Sequence, residues 1–478
     1  MNGTNFSDLR LLLPELILVG TALVLLLAAR RIQTAPLATA GTILAALAAG
    51  LVSYWLWSAD PKIGFGGMVT LDGYSQFFKV LIASALAVTA LLSERKIDAD
   101  RVRPAEYHAL FLLAATGMMF AAGASDLLTL YLSLELTTLC SYILVGITVE
   151  KPKSNEAAIK YFLLGSFASA LLLYGIALVY GVTGTTDFAA INSAVSENGI
   201  GSNKIFLAAI GLLAAGLAFK IAAFPFHAWA PDTYQGASAP VAAFLATASK
   251  VAGVAAVGRV CLVAFDSEAR LVSMVLVGFA ALSIIVGSII ALSQTNMKRL
   301  LAYSSIAHAG YALLGFIAAT SQFGTSDGAA ATMTYVFLYV FMTLGAFGVV
   351  IALGERGENL SSYEGLAAQR PGIAALMLLF LLSLTGIPPT AGFVAKFVVI
   401  LSVLSTGHVA LAVLAVVCSV ISAFVYLRVA VLMYMKDPGE PVPSRCPRTV
   451  YMALAVAALV TVIGGIFPGR FTFWAVGP

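Results

Sequence analysis

Apolar residues fall in long runs separated by short polar stretches, and the length of the runs decides which elements form. A helix rises 1.5 Å per residue, so about 20 apolar residues cross a hydrocarbon layer roughly 30 Å thick. Runs of that length predict helices over 10–29, 35–57, 72–93, 105–122, 126–149, 156–182, 204–236, 239–264, 271–293, 297–320, 328–353, 371–406, 408–435 and 448–468. The expected fold class is therefore an all-α polytopic membrane protein with about fourteen transmembrane helices.

Two runs, 204–236 and 371–406, are longer than one crossing needs, and both are interrupted. The first reads KIAAFPFHAWAPD, with Pro225 after Lys220; the second reads LTGIPPTAGFVAKF, with Gly386, Pro388 and Pro389 ahead of Lys396. Proline lacks a backbone donor and clashes with the preceding turn, so each helix should break inside the membrane, its freed carbonyls facing a protein-lined or hydrated cavity. Pro225 lies about 120 residues after position 105 and Pro388 about 117 after position 271, so each break falls in the fourth helix of a five-helix unit. One broken helix runs inward and the other outward, as an inverted-topology repeat requires. The expected organisation is three leading helices over 1–104, a first five-helix repeat over 105–265, a second, inverted one over 266–435, and a loop with a last helix over 436–478.

Composition agrees with lipid as the main solvent: 60% of residues are hydrophobic, 10% are charged, and mean hydropathy is +0.96. Cytoplasmic loops retain Lys and Arg during insertion. One set of alternate loops holds Arg30, Arg31, Arg95, Lys96, Arg101, Arg103, Lys151, Lys153, Lys298, Arg299, Arg356, Arg370, Lys436, Arg445 and Arg448, and the opposite set only Arg10, Lys62, Lys204, Arg270 and Arg470. Both termini are thus expected outside the cytoplasm, and the net charge of +4 is explained by topology without a nucleic-acid partner. The first run is not a cleavable signal, since Asp8 precedes it, Arg30 and Arg31 follow it, and no small-residue cleavage site intervenes. Cys140, Cys261, Cys418 and Cys446 lack metal-ligand spacing and read as small apolar residues.

The chemistry lies in the charges left inside helices: Lys79, Lys160, Lys220, Lys250, Arg259, Lys396 and Arg428. Lys79, Lys160, Arg259 and Arg428 sit within a few turns of a helix end, where a long stem can carry its charge to the interface. Lys250 lies about 15 Å into its helix, too deep for that. Glu135 is the one carboxylate this reading places near the midplane, and Lys220 and Lys396 belong to the two interrupted segments. Each of these four groups costs about 2.5–3.5 kcal/mol at a helix centre. A structural ion pair accounts for Glu135 with one lysine and leaves two lysines without an acidic partner at that depth. A buried amine without a counter-charge releases its proton readily, so the set reads as a proton relay. His308, in SSIAHAGY, is a candidate bridge in the second half, and His227 a candidate lining of the first break. His108 and His408 sit at helix ends and are expected to meet water. Sodium suits three lysines and one carboxylate poorly, because hard cations want several oxygen ligands. No phosphate-binding loop, cysteine cluster, haem-ligand pair or dinucleotide fingerprint is present, so energy must come from an ion gradient or a partner protein.

These residues resemble a known family, the antiporter-like membrane subunits of proton-pumping NADH:quinone oxidoreductase, respiratory complex I, which are similar to subunits of Mrp-type sodium/proton antiporters. The resemblance covers nearly the whole chain and is strongest from Lys220 to Lys250, KIAAFPFHAWAPDTYQGASAPVAAFLATASK. The order His227, Trp229, Pro231, Asp232, Tyr234 and Gly236 resembles the subunit N branch in particular. KRLLAYSSIAHAGY at 298–311, GIPPTAGFVAKF at 386–397 and an end about ten residues after the last helix agree with that branch. Ala395 departs from the glycine more usual there, which touches only local helix packing.

The resemblance implies that Glu135 and Lys220 form a coupled pair, that Lys250 is the central relay and Lys396 the exit-side group, and that Lys160 is an additional cytoplasmic-side residue. It also implies a bacterial inner membrane and sister membrane subunits as partners, with NADH, flavin, iron–sulfur clusters and quinone held in partner subunits and none of these in this chain. Two alternatives remain: a membrane subunit of an Mrp-type antiporter or membrane-bound hydrogenase, and a non-conducting scaffold whose buried charges only hold helices together.

Overall fold

Helices account for nearly all of the computed structural model, which describes residues 8–32, 34–57, 61–100, 102–321, 327–439 and 446–469. Of the loop charges counted above, Arg101, Arg445 and Arg470 lie outside the described residues, as do the side chains of Arg95 and Lys96. Among the described residues, twelve helices are long and apolar enough to cross a membrane. The two interrupted segments add a pair of shorter helices each, which makes up the expected number of crossings.

The leading helices are α1 (Leu13–Leu27), α2 (Ala35–Trp55) and α3 (Gly73–Asp100), with a small antiparallel hairpin, β1 (Lys62–Gly64) and β2 (Val69–Leu71), between α2 and α3. The first repeat follows as α4 (Pro104–Ala122), α5 (Leu127–Val145), α6 (Pro152–Thr183), a short helix α7 (Phe188–Asn198), the broken pair α8 (Lys204–Lys220) and α9 (Trp229–Gly236), and the two α-helical parts of one span, α10 (Ala239–Phe244) and α11 (Lys250–Arg259). The second is α12 (Ala269–Ala291), α13 (Met297–Ala319), α14 (Asp327–Leu353), a short α15 (Leu366–Gln369), the broken pair α16 (Pro371–Thr385) and α17 (Ala391–Ser405), and α18 (Val409–Met435). The last helix is α19 (Arg448–Ile466).

Local chemistry fixes the ends. Proline sits in the first turn of α2, α4, α6, α10 and α16, where its missing N–H costs nothing. Asp126 caps α5 by accepting from the Leu128 and Thr129 N–H groups at 2.7 and 3.1 Å, and Asn296 caps α13 through the Arg299 N–H at 3.1 Å. Both caps sit at the start of the second helix of their unit, and each forms a backbone bridge to the stretch that follows the third: Asp126 with Asp187, Asn296 with Asn359. The two units therefore tie themselves in the same way.

The spans that carry Lys250 and His308 are buried all round. Almost every residue of 239–264, α13 and α14 is shielded from solvent, whereas α1, α2, α6, α12, α18 and α19 keep one face open. Two π-helical turns, Leu245–Ser249 and Val260–Ala264, flank α11, and the first sits directly before Lys250.

Candidate functional site

Glu135 lies two turns into α5, and Lys220 is the last residue of α8 before the chain leaves the helix. The Lys220 Nζ stands 3.2 Å from Glu135 Oε1 and donates to Thr138 Oγ1 at 3.0 Å. Ser169 of α6 donates its hydroxyl to Glu135 and lies 3.5 Å from the same Nζ. Three helices thus converge on one ion pair, with Lys220 sealed inside and Glu135 retaining about a fifth of its side-chain exposure, 21%. Glu135 belongs to an outward stripe of α5 with Leu128, Leu132, Leu139 and Ile143.

Lys250 comes next along the interior. Its Nζ donates to the Ser305 carbonyl of α13, and α11 rests on the end of α8, for a Cβ added at Gly253 would stand 2.8 Å from Ile221 Cγ2 and 3.3 Å from the Lys220 carbonyl oxygen. One turn beyond Ser305, His308 Nδ1 pairs with the Tyr335 hydroxyl at 2.6 Å, and the rings of Tyr311, Tyr335 and Tyr339 surround the imidazole. The Tyr339 hydroxyl donates to the Ala246 carbonyl at 3.0 Å, in the π-helical turn before Lys250. Lys396, in the second turn of α17, lies over the Tyr311 ring at 4.9 Å and donates to Thr385 O at 2.8 Å and Ser419 Oγ at 2.9 Å. Lys250 and Lys396 are thus held by neutral oxygens and a ring face, and no carboxylate pairs with either among the described residues.

The remaining candidates take separate places. His227 lies inside the first break, against the Phe224 ring and outside the row of lysines. Lys160 is half exposed on α6 and pairs with Glu156 at 2.7 Å and Asp232 at 3.0 Å. His408 precedes α18 and is half-buried, whereas His108 is fully buried with its Nε2 3.1 Å from Thr39 Oγ1, correcting the expectation that it meets water.

Three of the cations placed near helix ends have partners within the protein. Lys79 pairs with Glu15 at 2.7 Å, both fully buried. Arg259 forms a bidentate pair with Asp72 at 2.7 and 2.6 Å, donates to Ala122 O at 3.0 Å and lies over the Tyr74 ring at 4.7 Å. Arg428 caps the end of α12 through Leu292 O and Gln294 O at 2.8 and 2.7 Å. Nothing in the sequence marks Glu15, Asp72 and Asp232 as ionic partners, because distance along the chain says nothing about which helices touch. On the side of the basic loops a vestibule of about 520 Å³, lined among others by Glu150, Lys151, Lys298, Glu355 and Glu358, reaches Ala237 and Ser238 at the start of α10.

Comparison with known proteins agrees with this architecture. The family described as NADH:quinone oxidoreductase/Mrp antiporter, TM, matches residues 124–422. The chain is 43% identical to NADH-quinone oxidoreductase subunit N of Desulfovibrio desulfuricans, over 98% of this chain and 96% of the relative. It is 41% identical to subunit N 2 of Rhizobium meliloti over 96% and 95%. A chain of respiratory complex I from Thermus thermophilus, solved with bound aureothin, shares 34% identity and superimposes with a TM-score of 0.83, covering 98% of this chain and 100% of that one.

Proposed function

The chain belongs to the NADH:quinone oxidoreductase/Mrp antiporter membrane family, among relatives named NADH-quinone oxidoreductase subunit N, and on that footing we propose that it moves protons across the membrane through the row Glu135, Lys220, Lys250, His308 and Lys396. The carrying observation is the Glu135–Lys220 pair at the mouth of a broken helix, continued inward by two lysines that have no carboxylate of their own.

The chemistry follows from charge and solvation. While Glu135 stands beside Lys220, the ammonium has a counter-charge; when the two part, a buried ammonium is left unpaired and sheds its proton. Lys250 receives next, and His308, bonded to Tyr335 and ringed by two further tyrosines, carries the proton on toward Lys396 through its two ring nitrogens. Lys160 and His227 stand outside this row, Lys160 at the basic-loop side and His227 in the first break. In this reading protons enter toward the row from the vestibule on the side of the basic loops, which reaches Ala237 and Ser238 ahead of the span that carries Lys250.

In this reading the energy comes from elsewhere, because the sequence carries no phosphate-binding loop, dinucleotide fingerprint or cysteine cluster. In this reading the chain works as a membrane subunit of an NADH:quinone oxidoreductase, beside other membrane subunits. NADH, flavin, iron–sulfur clusters and quinone are held by the partners, and quinone reduction there drives the pair apart. The membrane is a bacterial inner membrane, both termini face away from the cytoplasm, and the chain divides at about 104, 265 and 435, a division supported by the matching caps and bridges of the two units.

NADH-driven proton uptake by inverted membrane vesicles carrying Lys220→Ala, normalised to assembled complex, tests the reading. Loss of pumping with assembly intact is expected. Unchanged pumping per complex sinks it and leaves a scaffold that only holds helices together.

A further inference from the structure

Asp232 lies at the centre of a polar band that runs along the basic-loop side from α6 to α18. It accepts from Lys160 of α6 at 3.0 Å through Oδ2 and from Arg299 of α13 at 2.6 Å through Oδ1. Arg299 also donates to Gln235 at 3.0 Å, one turn further along α9, and through Nε to the Gln294 side chain at 3.3 Å. The Gln294 carbonyl then accepts from Arg428 of α18 at 2.7 Å. Lys160, Asp232, Arg299, Gln294 and Arg428 therefore form one connected line across both repeats.

Each end of the line stands above one end of the row of lysines. Ser169, which bonds Glu135 and approaches Lys220, is nine residues after Lys160 on α6; Ser419, which bonds Lys396, is nine residues before Arg428 on α18. Nine residues of helix measure about 14 Å, so each helix acts as a rigid lever between the band and its serine. The middle is connected too. The half-helix α9 is held by Arg299 at Asp232 and Gln235 and by Lys298, which donates to Ala237 O at 2.9 Å. At its other end Trp229 Nε1 donates to the Phe219 carbonyl at 3.0 Å, directly before Lys220. A shift of α9 is thus transmitted to the backbone that carries Lys220.

Pairs as open to solvent as Lys160–Asp232 and Arg299–Asp232 add little stability, so the band is poorly explained as a staple. We propose that it is a positioning device that couples the setting of Lys220 at one end of the row to that of Lys396 at the other, with Asp232 as the positioning residue. This inference rests on the proton-relay reading and adds to it the element that keeps Lys220 and Lys396 in step.

The test uses the whole complex in inverted vesicles, with pumping expressed per assembled complex and Lys220→Ala run in parallel. Asp232→Asn is expected to lower pumping about fivefold with the apparent KM for quinone unchanged, as when one link of a coupled network is cut. Asp232→Glu, which keeps the charge, restores at least half. Gln294→Leu cuts the line more than 60 residues away in sequence and is also expected to lower pumping. Wild-type pumping per complex in Asp232→Asn, or no rescue by glutamate, overturns the proposal. If Asp232→Asn does not assemble, Gln294→Leu decides alone: reduced pumping supports the band and wild-type pumping overturns it. Retained pumping in Lys220→Ala instead removes the relay reading itself, so the two failures are distinct.

Discussion

Glu15 and Lys79 meet at 2.7 Å between α1 and α3 with essentially no exposure. Removing one member strands a charge in a low-dielectric interior, which costs about 3–5 kcal/mol, whereas replacing both by apolar residues of similar size is close to neutral. Lys79→Ala is therefore expected to deplete assembled complex and lower its melting temperature, and Glu15→Leu with Lys79→Met to restore both; a double variant no better than the single one contradicts this. Asp72 offers a second check outside the spans. Burial pushes its carboxyl up, but the Arg259 charge, the hydrogen bonds from Arg259 and those from Ser75 outweigh burial and hold it below its ordinary value of 3.8. A carboxyl lowered by folding contributes stability that is fully present above the ordinary value and lost as pH falls through the folded one. Melting curves of the solubilised complex should thus show an acid-side loss that Asp72→Asn flattens. Sequence position marks Lys220, Lys250 and Lys396 as interior groups, because distance along one helix is a matter of counting, and all three are buried. It did not reveal Glu15 beside Lys79, because that meeting depends on how distant helices pack.

At the scale of elements, the two broken helices share a device. Within two residues of the end of the first half-helix, each break turns through a residue in the left-handed region, Ala222 at φ 55° in the first break and Gly386 at φ 89° in the second. For alanine this conformation costs roughly 1–2 kcal/mol, so Ala222→Gly should leave the melting temperature of the complex unchanged or raise it, and Ala222→Val should lower it sharply. Gly386→Ala meets two obstacles, the left-handed backbone and a Cβ that would stand 3.0 Å from Lys396 Cδ. It should lower proton pumping more than it lowers assembly; equal losses would mean that Lys396 is not displaced. Pro225, Pro388 and Pro389 made both breaks legible, since proline acts on its own helix. The hairpin of β1 and β2 and the short helix α7 are not legible in the sequence, because three-residue strands and an eleven-residue helix are too short to leave a periodic signature among runs of membrane length.

For the molecule as a whole, the outward stripe of α5 constrains what lies beside it. Leu128, Leu132, Leu139 and Ile143 are 46–65% exposed, as lipid-facing residues are, yet Glu135 sits in their middle with its carboxylate still partly open. A carboxylate that met hydrocarbon there would lose its hydration with nothing to replace it on the open side. A lipid boundary therefore fits the leucines and not the glutamate, whereas the face of a neighbouring membrane subunit fits both. It buries the leucines and supplies a polar group or an ordered water to Glu135, which also brings the neighbour within reach of the first member of the row. A photo-activatable residue at position 132 of the intact complex is expected to capture a membrane subunit. Recovery of lipid adducts alone would show that this stripe faces the bilayer and that the signal separating Glu135 from Lys220 must arrive through α6 or α8 instead.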